Sequence, residues 1–265
     1  MTTTIVSGNT TSTETIVAVA ARELAGKRRV FAGVGLPTLA VDLARHTSNP
    51  DVELIYESGV CGAHPSAMAE GIADSVVVSG AESVLSMAAL FGYVLQGGNV
   101  DVGFLGAAQI DRTGSLNTSF IGDWKNPTVR LPGAGGAVEI IANAAEIFVV
   151  MRRHDLSSFP AALDFCTSPS PARAHAHAHA SGKGIMPAGA GVTKVFTNLG
   201  VLTHQGPGGE LELTSVHEGI SVDQVREATG WDLAVADHVT VTTPPSGTEI
   251  DLLRNTIDKV RLYLR

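Results

Sequence analysis

Residues 30–46, VFAGVGLPTLAVDLARH, contain the change from a strand pattern to a helix pattern that decides the fold. The short apolar run Val30-Phe31-Ala32 leads at once into two closely spaced glycines and then into apolar residues at helical spacing. This order predicts a strand, a glycine turn over residues 33–37 and a helix over residues 38–46.

The same alternation continues along the chain. It predicts further strands at residues 51–56, 75–79, 100–105, 147–151 and 210–216, and helices at 12–27, 82–96 and 221–229. Strands that alternate with helices of 10–15 residues are typical of parallel sheets. We therefore predict the α/β class, with a mostly parallel sheet covered by helices on both faces.

Both ends of the chain carry helix-start signals. Thr11 and Glu14 fit a capping box before the first helix, and Ser246 and Glu249 fit one before the last. The last helix is expected to bury a stripe consisting of Ile250, Leu253, Ile257 and Val260.

The middle of the chain contains a hairpin signal, Asp111-Arg112-Thr113-Gly114. Residues 154–191 are rich in Ser, Pro, Ala and Gly, and include alternating His and Ala at 174–180. We interpret this segment as a low-complexity surface loop, and its histidines as solvated rather than as metal ligands, because no closed ligand set accompanies them. The chain is predicted to form a single domain over residues 1–265.

Composition excludes several classes of protein. The chain has 265 residues, 44% hydrophobic and 17% charged, which is enough apolar surface for a large core. A net charge of −8 argues against nucleic acid or an anionic membrane as partner. Two distant cysteines and the lack of a leader or a long apolar run predict a cytoplasmic protein without disulfides.

Two candidate sites follow strands near the start of the chain. Gly33-Val34-Gly35 resembles half of a dinucleotide fingerprint, but Thr38 stands where the third glycine is required. Such a turn still brings amide groups close to an anion. Glu57 ends an apolar strand and precedes Ser58-Gly59, the position where parallel sheets present ligands. A plain solvated carboxylate is the alternative.

A second glycine turn, Gly133-Ala134-Gly135-Gly136, also opens a helix. It is either an ordinary tight turn or, together with the first glycine turn, part of an oxyanion site made of main-chain donors.

Five strings in register carry a resemblance to a known family. They are 31–37 (FAGVGLP), 55–59 (IYESG), 105–111 (LGAAQID), 119–124 (SFIGDW) and 133–137 (GAGGA). In this order they resemble the β subunit of class I coenzyme A transferases, in the branch of glutaconate and 3-oxoadipate CoA-transferases. The resemblance covers roughly residues 12–265.

The resemblance implies a catalytic role for Glu57, which matches the nucleophilic glutamate of the family. It implies main-chain oxyanion or CoA contacts around Val34, Gly35, Gly135 and Gly136. Gln109 and Asp111 match a turn near the family's active site, although an Asp before a Gly-Ser pair is also ordinary turn chemistry.

The resemblance also implies an α-subunit partner in a hetero-oligomer, and no resident cofactor, since the coenzyme A thioester is a substrate. The expected reaction moves CoA from succinyl-CoA or acetyl-CoA to a dicarboxylic acid such as 3-oxoadipate or glutaconate, through a glutamyl-CoA thioester. Two alternatives stay open: a ring-opening acyl-CoA hydrolase on the same fold, and a non-catalytic subunit that binds acyl-CoA.

Overall fold

The structure, a computed structural model, describes residues 5–6, 10–182, 187–204, 206 and 209–264. Its strands are β1 (Ile5–Val6), β2 (Thr10–Thr11), β3 (Arg29–Ala32), β4 (Glu53–Ile55), β5 (Val60–Cys61), β6 (Ser83–Val84), β7 (Val102–Leu105), β8 (Gln109–Ile110), β9 (Leu116–Asn117), β10 (Phe120–Gly122), β11 (Pro127–Arg130), β12 (Glu146–Val150), β13 (Val192–Phe196), β14 (Gly200–His204), β15 (Leu211–Val216) and β16 (Ala234–Val241). Its α-helices are α1 (Ser12–Arg22), α2 (Leu36–His46), α3 (Met87–Ala89), α4 (Ala137–Asn143), α5 (Pro171–Ser181), α6 (Val222–Glu227) and α7 (Gly247–Asp251).

The chain divides into two compact units. Unit 1 consists of Met1–Leu105 and Thr242–Arg265, and unit 2 of Gly106–Val241. The single-domain organisation stays a prediction.

The sheet of unit 1 has the strand order β7-β3-β4-β5-β6. β3 pairs in parallel with β4 and with β7, so that Phe31 lies opposite both Ile55 and Gly103. β5 and β6 continue the sheet in antiparallel fashion. Helices α1 and α2 pack against each other in the same unit. The predicted α/β class, with parallel strands at the centre, is confirmed.

Helix α1 begins at the predicted capping box, in which the Thr11 hydroxyl accepts from the Glu14 amide and Glu14 accepts from the Thr11 amide. The fully buried Glu14 carboxylate also takes two hydrogen bonds from Arg254, at 2.6 and 2.8 Å. Burial alone would raise the pKa of Glu14, but the hydrogen bonds from Arg254 and Thr11 hold it below its usual value. This ion pair joins the first helix of unit 1 to its C-terminal segment.

The last helix differs from its predicted pattern. Its capping box at Ser246 and Glu249 is confirmed, but α7 continues as a π-helical segment over Leu252–Ile257 and ends there. Leu253 and Ile257 are buried as predicted, whereas Val260 is 78% exposed. The burial prediction for Val260 is wrong because the wider π-helical turn changes the spacing and the helix stops before it.

Unit 2 contains a sheet in the order β16-β15-β14-β13-β12. Its outer pairs, β15 with β16 and β12 with β13, are parallel, and the pairs between them are antiparallel. The predicted hairpin around residues 111–114 is confirmed by the antiparallel pair β8 and β9. Beside this sheet, His154 is buried and bonded on both ring nitrogens, to the hydroxyls of Thr197 and Thr229.

Two elements predicted upstream of β7 are different in the structure. The sequence predicts a strand over residues 75–79, but Ser75–Val78 is a 3₁₀ helix because the Asp74 side chain accepts from the Val76 amide. The helix expected over 82–96 begins only at Met87, capped by Ser86, and continues as a π-helical segment over Leu90–Leu95. In both cases a short polar side chain satisfies a first-turn amide.

The low-complexity segment also contains order that its composition does not predict. Within residues 154–191, interpreted from composition as a loop, Pro171–Ser181 forms α5, and residues 183–186 lie outside the described part. Ser170 caps this helix by accepting from the Arg173 amide at 3.3 Å, and Pro171 stands in its first turn. Alanine between the histidines is the strongest helix former, which explains the helix.

Within the described ranges, none of the helices is long and apolar enough to cross a bilayer. Both cysteines, Cys61 and Cys166, are free thiols.

We expect Glu14→Gln to lower the free energy of unfolding by about 3 kcal/mol, because it leaves Arg254 without its charge partner. Glutamine retains the capping geometry, so the loss reports the ion pair itself. The matched control is Glu53→Gln in the more exposed pair with Arg29, for which we expect about 1 kcal/mol or less. Equal losses in urea unfolding would contradict the role given to the buried pair.

We also expect His154 to make stability depend on pH. Burial lowers its pKa to about 3 in the folded chain, from 6.5 as the ordinary value. Between these values the unfolded chain binds more protons, so this contribution is complete above pH 6.5 and is lost as pH falls toward 3. The loss by pH 5 is about 2 kcal/mol. Calorimetry should show a smaller pH dependence for His154→Gln than for the control His238→Gln.

Candidate active site

Glu57 lies in the tight turn that joins β4 to β5. The Tyr56 amide donates to the Val60 carbonyl at 2.9 Å and the Gly59 amide donates to the Tyr56 carbonyl at 3.0 Å, so the turn is closed by two hydrogen bonds. The Glu57 side chain is half-buried. The strand therefore presents this carboxylate from a backbone loop of defined geometry.

Gly59 is required by this turn for two reasons. Its φ of +103° lies in the left-handed region, and a Cβ at this position would lie 2.0 Å from the Leu85 carbonyl oxygen. The Leu85 amide in turn donates to the Gly59 carbonyl at 2.9 Å. The backbone beside β6 thus packs directly onto the Glu57 turn, with no space for a side chain between them.

The glycine turn that contains Val34 follows β3 and opens α2. Gly35 has a φ of +114° and caps α2 without a side-chain hydrogen bond. The Thr38 hydroxyl donates to the Gly33 carbonyl at 2.9 Å and closes the turn. Thr38, which breaks the dinucleotide fingerprint, is therefore the residue that holds the loop, and the helix begins without a capping side chain.

The parallel register brings the two turns to one edge of the unit 1 sheet. Phe31 pairs with Ile55, and the two turns follow these residues on adjacent parallel strands. Glu57, Val34 and Gly35 therefore lie at the carboxyl ends of neighbouring strands, where α/β sheets bind ligands.

The residues on either side of Glu57 in the sequence both have buried hydroxyls. Ser58 Oγ is enclosed and has no hydrogen-bond partner among the described residues. The Tyr56 hydroxyl is also enclosed, and burial, followed by the nearby Asp42 carboxylate, raises the pKa of Tyr56 to about 12. A buried hydroxyl without a partner is uncommon, so Ser58 marks this turn as a place with unused hydrogen-bonding capacity.

Gln109, at the start of β8 in unit 2, is buried within a polar network. Its side chain donates to Asp164 at 3.1 Å and accepts from Asn117 at 2.8 Å and from the Asp164 amide at 3.1 Å. Asp164 also accepts from the Gly122 amide. Gln109 thus joins β8, β9 and β10 to the segment around Asp164, a structural role that its sequence position does not indicate.

Asp111 has the hydrogen bonds of ordinary turn chemistry. One carboxylate oxygen accepts from the Thr113 amide and hydroxyl and from the Ser115 amide, at 2.8 to 3.0 Å. The other lies 3.4 Å from Arg173 in α5. The structure therefore favours the interpretation of Asp111 as a hairpin residue, and a substrate contact by Gln109 or Asp111 stays a prediction.

The second glycine turn precedes α4 in unit 2. Gly133 and Gly135 both have positive φ, and Gly136 caps α4 without a side-chain hydrogen bond. Thr118 holds the turn, since its hydroxyl donates to the Gly133 carbonyl at 2.8 Å and its carbonyl accepts from the Gly133 amide. The turn has the backbone that the sequence predicts, and an oxyanion role for Gly135 and Gly136 stays a prediction.

No cluster of three or more His, Cys, Asp or Glu in the described part of the chain is arranged to hold a metal ion. His175 and His179, four residues apart on α5, share one face of the helix, and His177 lies on another.

Comparison with known proteins identifies the family. The sequence profile described as Coenzyme A transferase matches residues 13–228. A subunit of the 3-oxoadipate CoA-transferase of Pseudomonas knackmussii is 41% identical over 91% of each chain. Glutaconate coenzyme A-transferase of Acidaminococcus fermentans superposes with a TM-score of 0.87 at 26% identity, over 97% of this chain and 98% of that one. The IpdB subunit of a Rhodococcus jostii cholesterol ring-cleaving hydrolase is 27% identical over 86% of this chain and 88% of its own.

The fold and these matches define an α/β enzyme of the transferase class. The chain belongs to the coenzyme A transferase family, as the resemblance in its sequence implied. It is a CoA-transferase subunit of the β type, similar to the corresponding subunits of the 3-oxoadipate and glutaconate enzymes.

The sequence analysis did not identify the polar residues of α2 that lie near Tyr56, which precedes Glu57. Asp42 and Arg45 form an ion pair on α2 at 3.4 Å, with side chains 13% and 7% exposed, and both interact electrostatically with Tyr56. The signal was present, because an Asp and an Arg occupy i and i+3 of an otherwise apolar helix. Without the fold, that spacing is indistinguishable from a solvated surface pair.

We expect Gly59→Ala to destabilise the chain by about 3 kcal/mol and to displace Glu57, because the new methyl group meets the Leu85 carbonyl. Gly98→Ala is a matched control, since Gly98 also has positive φ but has open space around its Cβ position. We expect about 1 kcal/mol for that variant. Similar denaturant midpoints for the two variants would show that the contact with Leu85 does not constrain the turn.

Proposed function

We propose that this chain is the β subunit of a CoA-transferase that moves CoA from an acyl-CoA donor to a dicarboxylic acid, with Glu57 as the nucleophile. The observation that carries the proposal is the placement of Glu57 and the Val34-Gly35 turn at the carboxyl ends of adjacent parallel strands. This arrangement puts a carboxylate next to main-chain donors at the edge where α/β sheets bind ligands.

The proposed reaction requires only Glu57, the acyl-CoA donor and the acceptor acid. The Glu57 carboxylate attacks the thioester carbonyl of the donor, and CoA leaves as thiolate, which gives an acyl-glutamyl anhydride. The thiolate then attacks the glutamyl carbonyl, the donor acid leaves as carboxylate, and CoA remains on Glu57 as a thioester. The acceptor carboxylate reverses both steps and restores the free Glu57 carboxylate.

Each addition places negative charge on a carbonyl oxygen, and this charge requires positioned donors. Amides of the Val34-Gly35 turn are suited to that role because Gly35 has no Cβ and α2 starts without a capping side chain. Loss of one such donor costs about 2.7–4 kcal/mol in comparable enzymes. We assign the same role to Gly135 and Gly136 on the strength of the family resemblance.

The Ser58 hydroxyl is a further group suited to this chemistry. It is buried beside Glu57 and has no hydrogen-bond partner among the described residues. A hydroxyl left unpaired in the resting enzyme is available when a glutamyl adduct forms next to it.

The relatives support a second subunit and a dicarboxylic acid substrate. The matching subunits of 3-oxoadipate and glutaconate CoA-transferases are similar over nearly the whole chain. We therefore propose an α subunit as obligate partner, 3-oxoadipate or glutaconate as acceptor, and succinyl-CoA or acetyl-CoA as donor. The free thiols of Cys61 and Cys166 fit a reducing cytoplasm.

The test of the mechanism is covalent trapping on the complex with its α subunit. We expect incubation with acyl-CoA to leave CoA on Glu57, where hydroxylamine converts the thioester to a hydroxamate that mass spectrometry detects. Glu57→Gln should lose both the adduct and about 10⁴-fold or more of kcat. Glu53→Gln, in the strand that leads to the turn, is the control and should retain both. An adduct on another residue, or none, would refute the role of Glu57.

The dependence of the rate on an acceptor acid distinguishes transfer from hydrolysis. We expect turnover of acyl-CoA only when a dicarboxylic acid is present, with label from that acid entering the acyl-CoA pool and with ping-pong kinetics. Consumption of acyl-CoA at the same rate without any acid would identify the chain as a hydrolase subunit. Binding of acyl-CoA without turnover would identify a non-catalytic subunit.

A further inference from the structure

The chain that follows the π-helical segment after α7 folds back as a hook over residues 258–264, within unit 1. Asp258 is fully buried, and its carboxylate accepts hydrogen bonds from three successive amides, those of residues 262–264, at 2.8 to 2.9 Å. The Arg261 amide donates to the Asp258 carbonyl at 2.9 Å and closes a turn inside the hook. A single buried carboxylate therefore fixes the backbone of the hook.

The hook contains a strained backbone conformation. Arg261 has a φ of +55°, the one positive φ among the non-glycine residues that the structure describes. Such a conformation is uncommon for an L-residue and persists only where the surrounding structure holds it. The hydrogen bonds to Asp258 supply that restraint, and they turn the chain so that Tyr263 and the buried Leu264 contact the rest of unit 1.

Tyr263 joins the hook to the segment after β5 and lies beside the glycine turn that contains Val34. Its hydroxyl donates to the carbonyl of the buried Ala69 at 2.5 Å. A Cβ built on Gly35 would lie 3.9 Å from Cε1 and 4.0 Å from Cδ1 of the Tyr263 ring, which is an ordinary van der Waals distance. The edge of the ring therefore faces the Cα of Gly35, with space for a single methyl group between them.

Tyr263 also lies near the strand that leads to Glu57. Burial is the main cause of the raised pKa of Tyr56, and the Tyr263 phenol is among the groups that raise this pKa further. Tyr56 is fully buried and immediately precedes Glu57. One side chain of the hook is thus close to both turns that the proposed mechanism uses, although it belongs to neither.

The glycine turn has little support of its own. Gly35 caps α2 without a side-chain hydrogen bond, and the Thr38 hydroxyl closes the turn from within. Glycine is the residue with the most backbone freedom, whereas main-chain donors stabilise an oxyanion only when they are already in position as the charge develops. A ring held by its own hydroxyl beside Gly35 limits how far the turn can move toward it.

We propose that Tyr263 is a positioning residue for the oxyanion donors of the Val34-Gly35 turn, and that the hook over residues 258–264 holds its ring in place. This inference rests on the proposed transferase function, in which amides of that turn stabilise the charge that develops when Glu57 attacks. Tyr263 acts through the turn and not on the reacting atoms.

The first test measures the turn itself, by hydrogen exchange in the complex with the α subunit. We expect Tyr263→Ala to speed amide exchange in the peptide that covers residues 34–39 by about fivefold, because the turn moves more freely. Exchange around the second glycine turn, residues 133–136 in unit 2, should not change. Val260→Ala is the matched control within the hook, since Val260 is 78% exposed, and it should leave exchange in both peptides unchanged.

The second test measures the chemical step in a single turnover with acyl-CoA. We expect Tyr263→Ala to lower the rate constant for forming the CoA adduct on Glu57 about tenfold or more, with the amplitude unchanged. Tyr263→Phe keeps the ring and should stay within about threefold of the unmodified rate constant. Val260→Ala should retain both the rate constant and the amplitude. A purely structural role would instead lower the amplitude, because fewer subunits would be folded, and leave the rate constant unchanged.

The outcomes separate this inference from the proposed function. An unchanged rate constant or unchanged exchange in Tyr263→Ala would overturn the role of Tyr263. If the unmodified complex forms no adduct on Glu57, the proposed function fails, and the exchange experiment still decides whether Tyr263 holds the turn. Tyr263→Leu, which keeps an apolar side chain but not the ring, replaces Tyr263→Ala if that variant does not assemble, with the same expected results.

Discussion

The constraint on which the rest of the site depends is the contact between the Gly59 backbone and the Leu85 carbonyl. Two extended segments meet there with no side chain between them, and the turn that carries Glu57 is closed by hydrogen bonds on either side of that contact. As the proposed nucleophile, the Glu57 carboxylate would have to return to the same position in each turnover. Here the backbone, rather than side-chain packing, sets that position.

The parallel pairing of β3 with β4 supplies the second half of the arrangement. A strand pair that begins in register also ends in register, so a glycine turn after one strand and a carboxylate after the other must share an edge. Thr38 closes the glycine turn without occupying it. The site thus arises from two local turns and one register.

Much of this was predictable from sequence because the signals are local. Both capping boxes and the hairpin at Asp111 follow from a few adjacent residues, and the structure confirms them. The predictions that were wrong required information that periodicity does not carry. Val260 is exposed because a π-helical turn changes the spacing, and residues 75–78 form a 3₁₀ helix because Asp74 caps them. The hydrogen bond from Gln109 to Asp164, 55 positions away, likewise has no signal in the neighbouring sequence.

The buried ion pair between Glu14 and Arg254 joins residues 240 positions apart. The unit that carries Glu57 therefore includes the last segment of the described chain as well as the first. During synthesis, the ribosome must deliver all of unit 2 before Arg254 emerges and reaches its carboxylate. Until then Glu14 lacks the hydrogen bonds from Arg254, and the unit that carries Glu57 stays incomplete while unit 2 is already free to fold.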